Sequence, residues 1–551
     1  MLKVSVVVAV YNPGPDIDEL LASIDAQTLP AAEFEVIFAD DDSTDGTRER
    51  LREWAEDRRN VSVLHNTPNS GWPGRPRNLG IDAARGEYLF FADNDDKFTP
   101  DALRAMYDFA RAHDSDVVIP KEIGVGPGRS VSRALFRRDI PDATLGRDPI
   151  LLLLTPHKLV RTALVHEHGI RFPEGRVRLE DHFFMMSCYF AAQRISVFAQ
   201  QPCYYWMRRQ GSGENASFSE VDPVVYYESV ERVLAVVEAN TEPGAFRDKL
   251  YSHWYQTKML ARLRGGFLLE HAEDYQERLV AELRRVSVRF GFDERLLPYL
   301  GAGSRARAQL LMTGSLEDIR RLAAAERGIT QQPRLEQLSW TDDGRLALSI
   351  SSHFVYADGD PITVIRTDHG AFWDITPRVP GLRLDPVDVS DLVAGIRLHT
   401  LLTDRSTSDV QFASGHGEPL TDDRLGVSSE VLIDPGAAFR SRPVDTVLDL
   451  RVRLNGLGWW SEIRLPADGG VRLPATGPQL EDRTVVAFAT TGRRKLSLHL
   501  VDPTRSRWSR IRELGRADGW REASPVIARA ALRRARHAAG RVRTRIGELR
   551  P

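Results

Sequence analysis

Tyr88-Leu89-Phe90-Phe91-Ala92-Asp93-Asn94-Asp95-Asp96 decides the fold, because here an apolar run breaks directly into three carboxylates. The run reads as a buried strand whose carboxyl end is charged. In open α/β sheets ligands bind outside the carboxyl ends of the strands, so acids there are placed to meet a ligand or its metal. Asp93 and Asp95, one residue apart, suit a hard divalent cation such as Mg²⁺ or Mn²⁺, which takes oxygen ligands and is commonly shared with substrate phosphates. The plainer reading is a polar turn before the helix that follows Pro100. The flanking segments decide between the two.

Upstream, the β-branched run at residues 4–10 is of the kind found in strands buried on both faces, and Tyr11-Asn12-Pro13-Gly14 ends it as a turn. Ile17, Leu20, Leu21 and Ile24 follow helical spacing. A second strand, 35–39, runs into Asp40-Asp41-Asp42-Ser43-Thr44-Asp45-Gly46 and a helix from about Thr47. A third, 61–64, leads to Asn69-Ser70-Gly71-Trp72-Pro73-Gly74-Arg75-Pro76-Arg77-Asn78 and another helix. Beyond the deciding stretch come a helix from Pro100 to about His113 and a strand at 116–120. Strands alternating with helices of this length predict βαβ units and a mainly parallel sheet.

Downstream the texture changes twice. Residues 222–331 show helical apolar periodicity, and from 332 short strands with turn signals predict an antiparallel sandwich of immunoglobulin-like type. The expected division is therefore an α/β domain at 1–221, a helical linker at 222–331, a β-sandwich at 332–505 and a basic helical tail at 506–551. Arg529, Arg533, Arg534, Arg536, Arg541, Arg543 and Arg545 alternate with apolar residues in that tail, which suits contact with an anionic membrane or a solvated or partner-docking helix. Of the paired Trp459 and Trp460, one is expected in the sandwich core.

A chain of 551 residues is long enough for two to four domains with full cores, and a net charge of −3 gives no global sign of nucleic-acid binding. Only Cys188 and Cys203 occur, so neither a disulfide framework nor a cysteine-rich zinc site is available, and a reducing compartment fits best. No apolar run approaches the ~20 residues that span a bilayer, and the first residues enter a strand without signal-peptide regions. The expectation is a cytoplasmic protein, with the inner face of the membrane as a place of contact.

Asp40 and Asp41 at the mouth of strand two lie beside the mouth of strand one, so adjacent strand ends make one crevice. A carboxylate there can accept from the imide N–H of uracil, and Arg77 adds a cation at the start of a helix, where phosphate is also favoured. The crevice suits a uridine diphosphate bridged by metal. Three rivals fail. Asp41, Ser43, Asp45 and Gly46 match half of a calcium loop, but Arg52 stands at its twelfth position. The dinucleotide fingerprint is missing after strand one. An Asp40/Asp42 phosphatase pair would leave the second acidic strand end without a role.

Together, residues 4–12, 39–45, Pro76-Arg77-Asn78-Leu79-Gly80-Ile81, Gly86-Glu87-Tyr88, Asp93-Asn94-Asp95-Asp96, Lys158-Leu159-Val160-Arg161, 169–174 and Leu179-Glu180-Asp181 resemble the family 2 glycosyltransferases of GT-A fold. With Asn69-Ser70-Gly71, Pro73-Gly74, the helical linker and the sandwich, the chain looks most like the wall-teichoic-acid poly(ribitol phosphate) β-N-acetylglucosaminyltransferases. The fold class is then a GT-A (Rossmann-like) nucleotide-sugar domain followed by a helical linker and an antiparallel β-sandwich with a C-terminal helix.

The resemblance implies that Ala9, Asp41, Asn69, Arg77 and Asp93 contact the UDP-sugar, that Asp95 holds Mn²⁺ or Mg²⁺ and that Asp181 is the catalytic base. Tyr11, Glu180, Arg209, Asn215 and Ser217 join the candidate donor-binding residues, the last three on the glycine-containing loop after Tyr205. There are departures: Asp42 stands where glycine or another small residue is usual, Ala9 where proline is common, and Asn215 where the loop carries histidine. The glutamate-aspartate pair also has a plainer reading, an acidic first turn that a helix dipole favours.

The implied reaction is inverting transfer of a sugar, GlcNAc in the first instance, to a cell-envelope glycopolymer, by an enzyme that assembles as a homotrimer. A capsular or exopolysaccharide transferase using UDP-glucose or UDP-galactose, and a catalytically silent glycan-binding scaffold, are the alternatives.

Overall fold

The structure, a computed structural model, describes residues 2–126, 129, 131, 133–208, 221–467, 471, 473, 474, 477–480, 483–490 and 494–502. The chain forms two compact units, one of residues 1–300, 304–325 and 379–384, the other of 301–303, 326–378 and those from 385 on.

The first unit begins β1 (Val4–Val10), α1 (Ile17–Asp25), β2 (Phe34–Asp40), α2 (Thr47–Ala55), β3 (Val61–His65), α3 (Gly74–Ala83) and β4 (Tyr88–Asp93). It continues β5 (Lys97–Phe98), α4 (Ala102–His113), β6 (Val117–Val125), β7 (Ile140–Ala143), β8 (Leu159–Arg161), α5 (Thr162–Glu167), α6 (Glu180–Ala191) and β9 (Ile195–Met207). The sheet order is β3-β2-β1-β4-β8-β6-β9-β5, with β7 on β9. β1 pairs parallel with both β2 and β4, and β2 with β3, so the first four strands form the expected βαβ units. The sheet is mainly parallel, as expected, with β6 also pairing parallel with β9, and its short antiparallel pairings lie beyond β4. β8 enters antiparallel between β4 and β6, and β5 and β7 pair antiparallel with β9. These strands have two to four residues, too few for any period to show in the sequence.

Val4, Val6, Val7, Val8 and Val10 are all buried, as a β-branched strand covered on both faces requires. On the first face Ile17, Leu20, Leu21 and Ile24 of α1 pack with Phe38, Phe90 and Met106. On the other, α3 lies so close that a Cβ on Gly80 would stand 2.2 Å from Val7 Cγ1. That contact holds α3, and with it Arg77, hard against the sheet.

The helices that follow are α7 (Pro223–Ala239), α8 (Ala245–Trp254), α9 (Gly265–Leu268), α10 (Glu273–Phe290), α11 (Ala302–Thr313) and α12 (Leu316–Ala325). Asp222 caps α7 by accepting from Val224 N at 2.9 Å, with Pro223 in the first helical position. α8 runs into a π-helical turn, Tyr255–Met259.

In the second unit the hairpin of Thr330–Trp340 and Leu346–Val355 is joined by Gly426–Ile433 and Ser414–Pro419 into a four-stranded antiparallel sheet. A seven-stranded sheet carries Arg397–Asp404, Val447–Gly456, Trp459–Arg464, Arg483–Ala489 and Leu496–Val501, and a three-stranded sheet contains Gly370–Trp373. Trp459 is the core member of the tryptophan pair. Its ring meets Phe354 and Trp373 edge-on at 5.7 and 5.0 Å, while Trp460 is 56% exposed. Ser414–Pro419 escaped sequence reading because Ser-Gly-His-Gly-Glu-Pro carries turn residues in place of β-formers. The basic tail at 506–551 lies outside the described residues.

Candidate active site

Register alone gathers the first candidates. Ala9 pairs with Ala39 on one side and Asp93 on the other, and Val10 pairs with Asp40, so three strand ends open on one edge. The loops beyond are stitched together. Asn12 N donates to Ser43 Oγ at 3.1 Å, Thr44 N to Asn12 Oδ1 at 2.8 Å and Gly14 N to Asp45 Oδ2 at 2.9 Å. Asp45 also accepts from Thr47 N at the start of α2, a structural use for the residue that suggested a calcium loop. Tyr11 stands 47% exposed above this edge.

Asp41 is buried, and its carboxylate gathers the third loop. Oδ1 accepts from Asn66 Nδ2 and Ser70 N, and Oδ2 from Asn69 Nδ2 at 3.1 Å and Ser70 Oγ at 2.8 Å. Asp41 and Asn69, expected in one crevice, are thus in direct contact. In this structure the Asp41 carboxylate is engaged in holding the 66–70 loop.

α3 brings the cation. Gly74 sits where a Cβ would meet Pro173 O at 2.2 Å, and Asn78 exchanges two hydrogen bonds of 2.9 Å with the backbone of Phe172. The first turn of α3 is therefore locked onto residues 172–174. Arg77, 4% exposed, extends from that turn and donates through Nη2 to Asp93 Oδ1 at 2.9 Å and through Nη1 to Glu180 Oε1 at 3.2 Å. Glu180 also accepts from Trp72 Nε1 at 3.0 Å, and the Arg178 guanidinium lies over the Trp72 ring at 4.8 Å. Trp72 is thus a clamp on the acidic turn. Arg77, Asp93, Glu180 and Asp181, which the sequence offered in three separate motifs, are brought to one place.

Asp181 stands in the first turn of α6, directly after Leu179, whose φ of 56° is a left-handed conformation that a bulky residue adopts only under constraint. One carboxylate oxygen accepts from His182 N at 2.8 Å. Burial first, then the Glu180 charge, push the Asp181 carboxyl up to about 7, against the pull of Arg77 and Lys258. Beside it, burial and the charges of Arg262 and Arg176 hold the Arg178 guanidinium below its usual range. Cations thus lie around the acidic turn: Lys258 acts on Asp181, Arg178 on Glu180, and Arg176 and Arg262 on Arg178.

Behind Asp93 lies a charged cluster that sequence reading missed. His157, 1% exposed, reaches Asp93 Oδ2 at 3.3 Å, Asp96 Oδ2 at 3.7 Å and Glu122 Oε2 at 3.5 Å, and Lys158 Nζ reaches Glu122 Oε1 at 3.2 Å. Burial works against the imidazolium, yet Glu122 and Asp93 raise His157 to about 10. Burial also opposes ionisation of Asp93, but His157 and Arg77 hold its carboxyl well below the usual range. Asp96 is pushed well up, by burial and then by Asp93 and Asp95. A lone histidine between Pro156 and Lys158 gave no sequence signal, since only the fold brings it to β4.

The ligand atoms of Asp93, Asp96 and His157 lie within 4.8 Å of one another, and Asp96 Oδ2 is buried without a hydrogen-bond partner. Carboxylate oxygens so placed fit a divalent cation in kind. Asp95, the predicted ligand, lies beside this group and its charge acts on Asp96, but it is not one of the three converging residues. The loop's root is fixed by Met207 N, which donates to Asp96 Oδ1 at 2.7 Å, and by Arg208 N, which donates to Val125 O at 3.0 Å. Arg209, Asn215 and Ser217 lie outside the described residues.

With this geometry in hand, the likeness to known proteins can be placed on it. Residues 5–199 match the family described as Glycosyl transferase family 2, and residues 223–323 the Glycosyl transferase TarS linker domain. The chain is 36% identical over 249 residues to a poly(ribitol-phosphate) beta-glucosyltransferase of Bacillus spizizenii, covering 45% of this chain and 39% of that protein. It is 36% identical over 271 residues to the poly(ribitol-phosphate) beta-N-acetylglucosaminyltransferase TarS of Staphylococcus aureus, covering 49% and 46%. It is 30% identical over 224 residues to the glycosyltransferase GlyG of Streptococcus pneumoniae, covering 38% and 72%. The matched part thus spans less than half the length of the two ribitol-phosphate relatives. An S. aureus TarS fragment in complex with UDP-GlcNAc superposes with a TM-score of 0.56 at 27% identity, over 70% of this chain and 99% of that one. A longer S. aureus TarS structure, at 23% identity and a TM-score of 0.52, covers 91% and 86% and shares the fold.

Proposed function

The chain belongs to glycosyl transferase family 2 and has the GT-A fold, and on that footing we propose that it is an inverting transferase moving a sugar from a UDP-sugar to a hydroxyl of poly(ribitol phosphate). The observation that carries this reading is Asp181. It is a carboxylate raised to about 7, in the first turn of α6, beside a glutamate that Arg77 ties to Asp93 at the mouth of β4. A base with that affinity for a proton can take one from an acceptor hydroxyl near neutral pH and hold it after transfer.

In the proposed reaction the acceptor oxygen bonds to the anomeric carbon as the bond from that carbon to the β-phosphate oxygen breaks, the proton passes to Asp181, and UDP departs on the opposite face. Arg77 supplies fixed positive charge behind Asp93 and Glu180, and its rigid planar fork keeps the two acids apart at set positions. Asp41, Asn69, Ala9 and Tyr11 are assigned to the nucleotide end of the crevice. The loop bearing Arg209, Asn215 and Ser217 is assigned to cover the diphosphate. Asp95, with Asp93 and Asp96 behind it, would hold Mn²⁺ or Mg²⁺, which when bound offsets the negative charge of the departing diphosphate.

Lys258, which acts on Asp181, and Arg178, which acts on Glu180 and has Arg176 and Arg262 near it, support a polyanionic acceptor, since a phosphodiester chain would need neutralising near the acidic turn. GlcNAc and glucose are both named for the relatives, and pocket shape decides between them. The second unit is assigned to assembly of a homotrimer. No helix among the described residues is long and apolar enough to cross a membrane.

The test is UDP release from a panel of UDP-sugars with Mn²⁺, with and without poly(ribitol phosphate), comparing wild type with Asp181→Ala. Release stimulated by the polymer and lost in the variant supports the reading. Release that the polymer leaves unchanged removes the acceptor. No release from any donor removes the enzyme.

A further inference from the structure

The first turn of α6 is gripped residue by residue, and one grip comes from the helical linker. Glu180 is held by Arg77 and Trp72, and Asp181 accepts from the backbone of His182. The His182 side chain meets Trp254, the last residue of α8, whose Nε1 lies 3.3 Å from His182 Nδ1. The direction of this hydrogen bond is not open to choice. An indole nitrogen only donates, so Nδ1 must accept, and a neutral ring that accepts at Nδ1 carries its proton on Nε2. Trp254 is fully buried, and a π-helical turn begins at the next residue. Such turns interrupt a helix at the expense of its regular hydrogen bonds and concentrate at functional places.

We propose that Trp254 is a positioning residue for the transferase reaction, fixing His182 as the Nε2–H tautomer and so holding the backbone N–H that orients the Asp181 carboxylate. The inference rests on the reading of Asp181 as the base. The groups around the ring fit a neutral state. Lys258, His253 and Lys158 all bear on His182, and burial with these charges holds its pKa well below the usual range. Asp181 in turn faces Glu180, Arg77, Lys258 and Lys158. A protonated His182 would have no acceptor to offer the indole and would add a further cation to this set. The neutral ring ties α8 to α6 without disturbing the charge balance at the base.

Trp254→Phe removes the N–H and also the five-membered part of a fully buried indole, so the tautomer readout below is what separates the lost hydrogen bond from the lost packing. The expected result is a kcat lower by roughly three- to tenfold, the scale of one lost hydrogen bond, with the donor KM unchanged. His182→Asn, which offers an oxygen where Nδ1 stood, should retain more of kcat than His182→Leu, which offers none. The independent readout is the ¹⁵N spectrum of labelled histidine, with the His182 signals assigned by their loss in His182→Asn. Wild type should show the Nε2–H tautomer, and Trp254→Phe a mixture or the other form. A Trp254→Phe enzyme with unchanged kcat and unchanged His182 tautomer, whatever its melting temperature, overturns the proposal. Failure of wild type to turn over any UDP-sugar overturns the catalytic reading instead, and the tautomer measurement still decides whether Trp254 sets the state of His182.

Discussion

Arg77 Nη1 lies 3.2 Å from Glu180 Oε1, a contact that joins the first turn of α3 to the first turn of α6 across 103 residues of chain. The same guanidinium reaches Asp93 at 2.9 Å, so one buried cation sets the distance between the end of β4 and the acidic turn. Arg77→Met would leave Glu180 without its ion-pair partner and Asp93, which is well ionised, with His157 alone as counter-charge. Removing one partner from such a buried pair costs about 3–5 kcal/mol. Denaturant unfolding should show a loss on that scale. Arg77→Lys, a point charge without the fork, should recover part of the stability and little of the turnover.

The pH dependence of turnover follows from Asp181. With its carboxyl raised to about 7, only the deprotonated fraction can accept the acceptor's proton, so kcat should rise with pH through about 7 and level off above it. Asp181→Asn keeps the shape and removes the base. Turnover should fall by ~10²–10⁴-fold and lose that acidic limb. A variant that keeps the limb would assign it to another group.

Asp181 should also weaken the fold it serves. Its carboxyl holds a proton to a higher pH in the folded chain than the ordinary 3.8 expected when unfolded, so between about pH 4 and 7 the native state binds more protons and stability falls as pH rises. Asp181→Asn removes that loss. The variant should unfold at higher denaturant than wild type at pH 8, and the difference should shrink as the pH is lowered towards 4.

The residues of the site were legible in the sequence for different reasons. β1, β2 and β4 carry apolar runs that end in acids, and parallel registration alone puts Ala9, Asp40 and Asp93 side by side. Glu180 and Asp181 were visible only through family resemblance, because an acidic first turn is an ordinary helix start. His157, Glu122 and Trp254 were not legible. Each is a single residue in an unremarkable setting, and its partner is more than 30 residues away, so nothing local marks it. Short antiparallel strands such as β8 were missed for a related reason: three residues are placed by their neighbours and carry no period of their own.

Gly74 tests how far the position of Arg77 depends on close packing. A Cβ there would stand 2.2 Å from Pro173 O, a backbone atom that cannot rotate away, so Gly74→Ala must move α3 or the 172–174 segment. Overpacking of this kind costs roughly 1–3 kcal/mol. Asn78, which bonds both backbone groups of Phe172, resists the shift and transmits it to the next turn. The expected outcome is a loss of stability in that range together with lower kcat, measured on the same preparation. Lost stability with full turnover would mean that the helix recovers its place.

Asp42, the departure from the family pattern, has a backbone reason. Its φ is 64°, the left-handed region in which a glycine is accommodated without strain and an L-residue costs about 1–2 kcal/mol, somewhat less for aspartate. Against that, Asp42 Oδ1 accepts from Arg48 Nη2 at 3.1 Å, and Oδ2 from Thr67 Oγ1 at 3.4 Å. The Asp42 carboxylate is 38% exposed, so the ion pair is worth about 1 kcal/mol at most. Arg48 also keeps its shorter bond to buried Asp40, at 2.7 Å, whatever stands at 42. The backbone term and the side-chain term therefore nearly cancel in Asp42→Gly. Its denaturation midpoint should lie within about 1 kcal/mol of wild type. Asp42→Val keeps the strain, loses both contacts and should be the less stable of the two by at least that amount, because branching at Cβ disfavours a left-handed backbone. Equal stability of the glycine and valine variants would show that the backbone conformation at 42 does not set the residue preference.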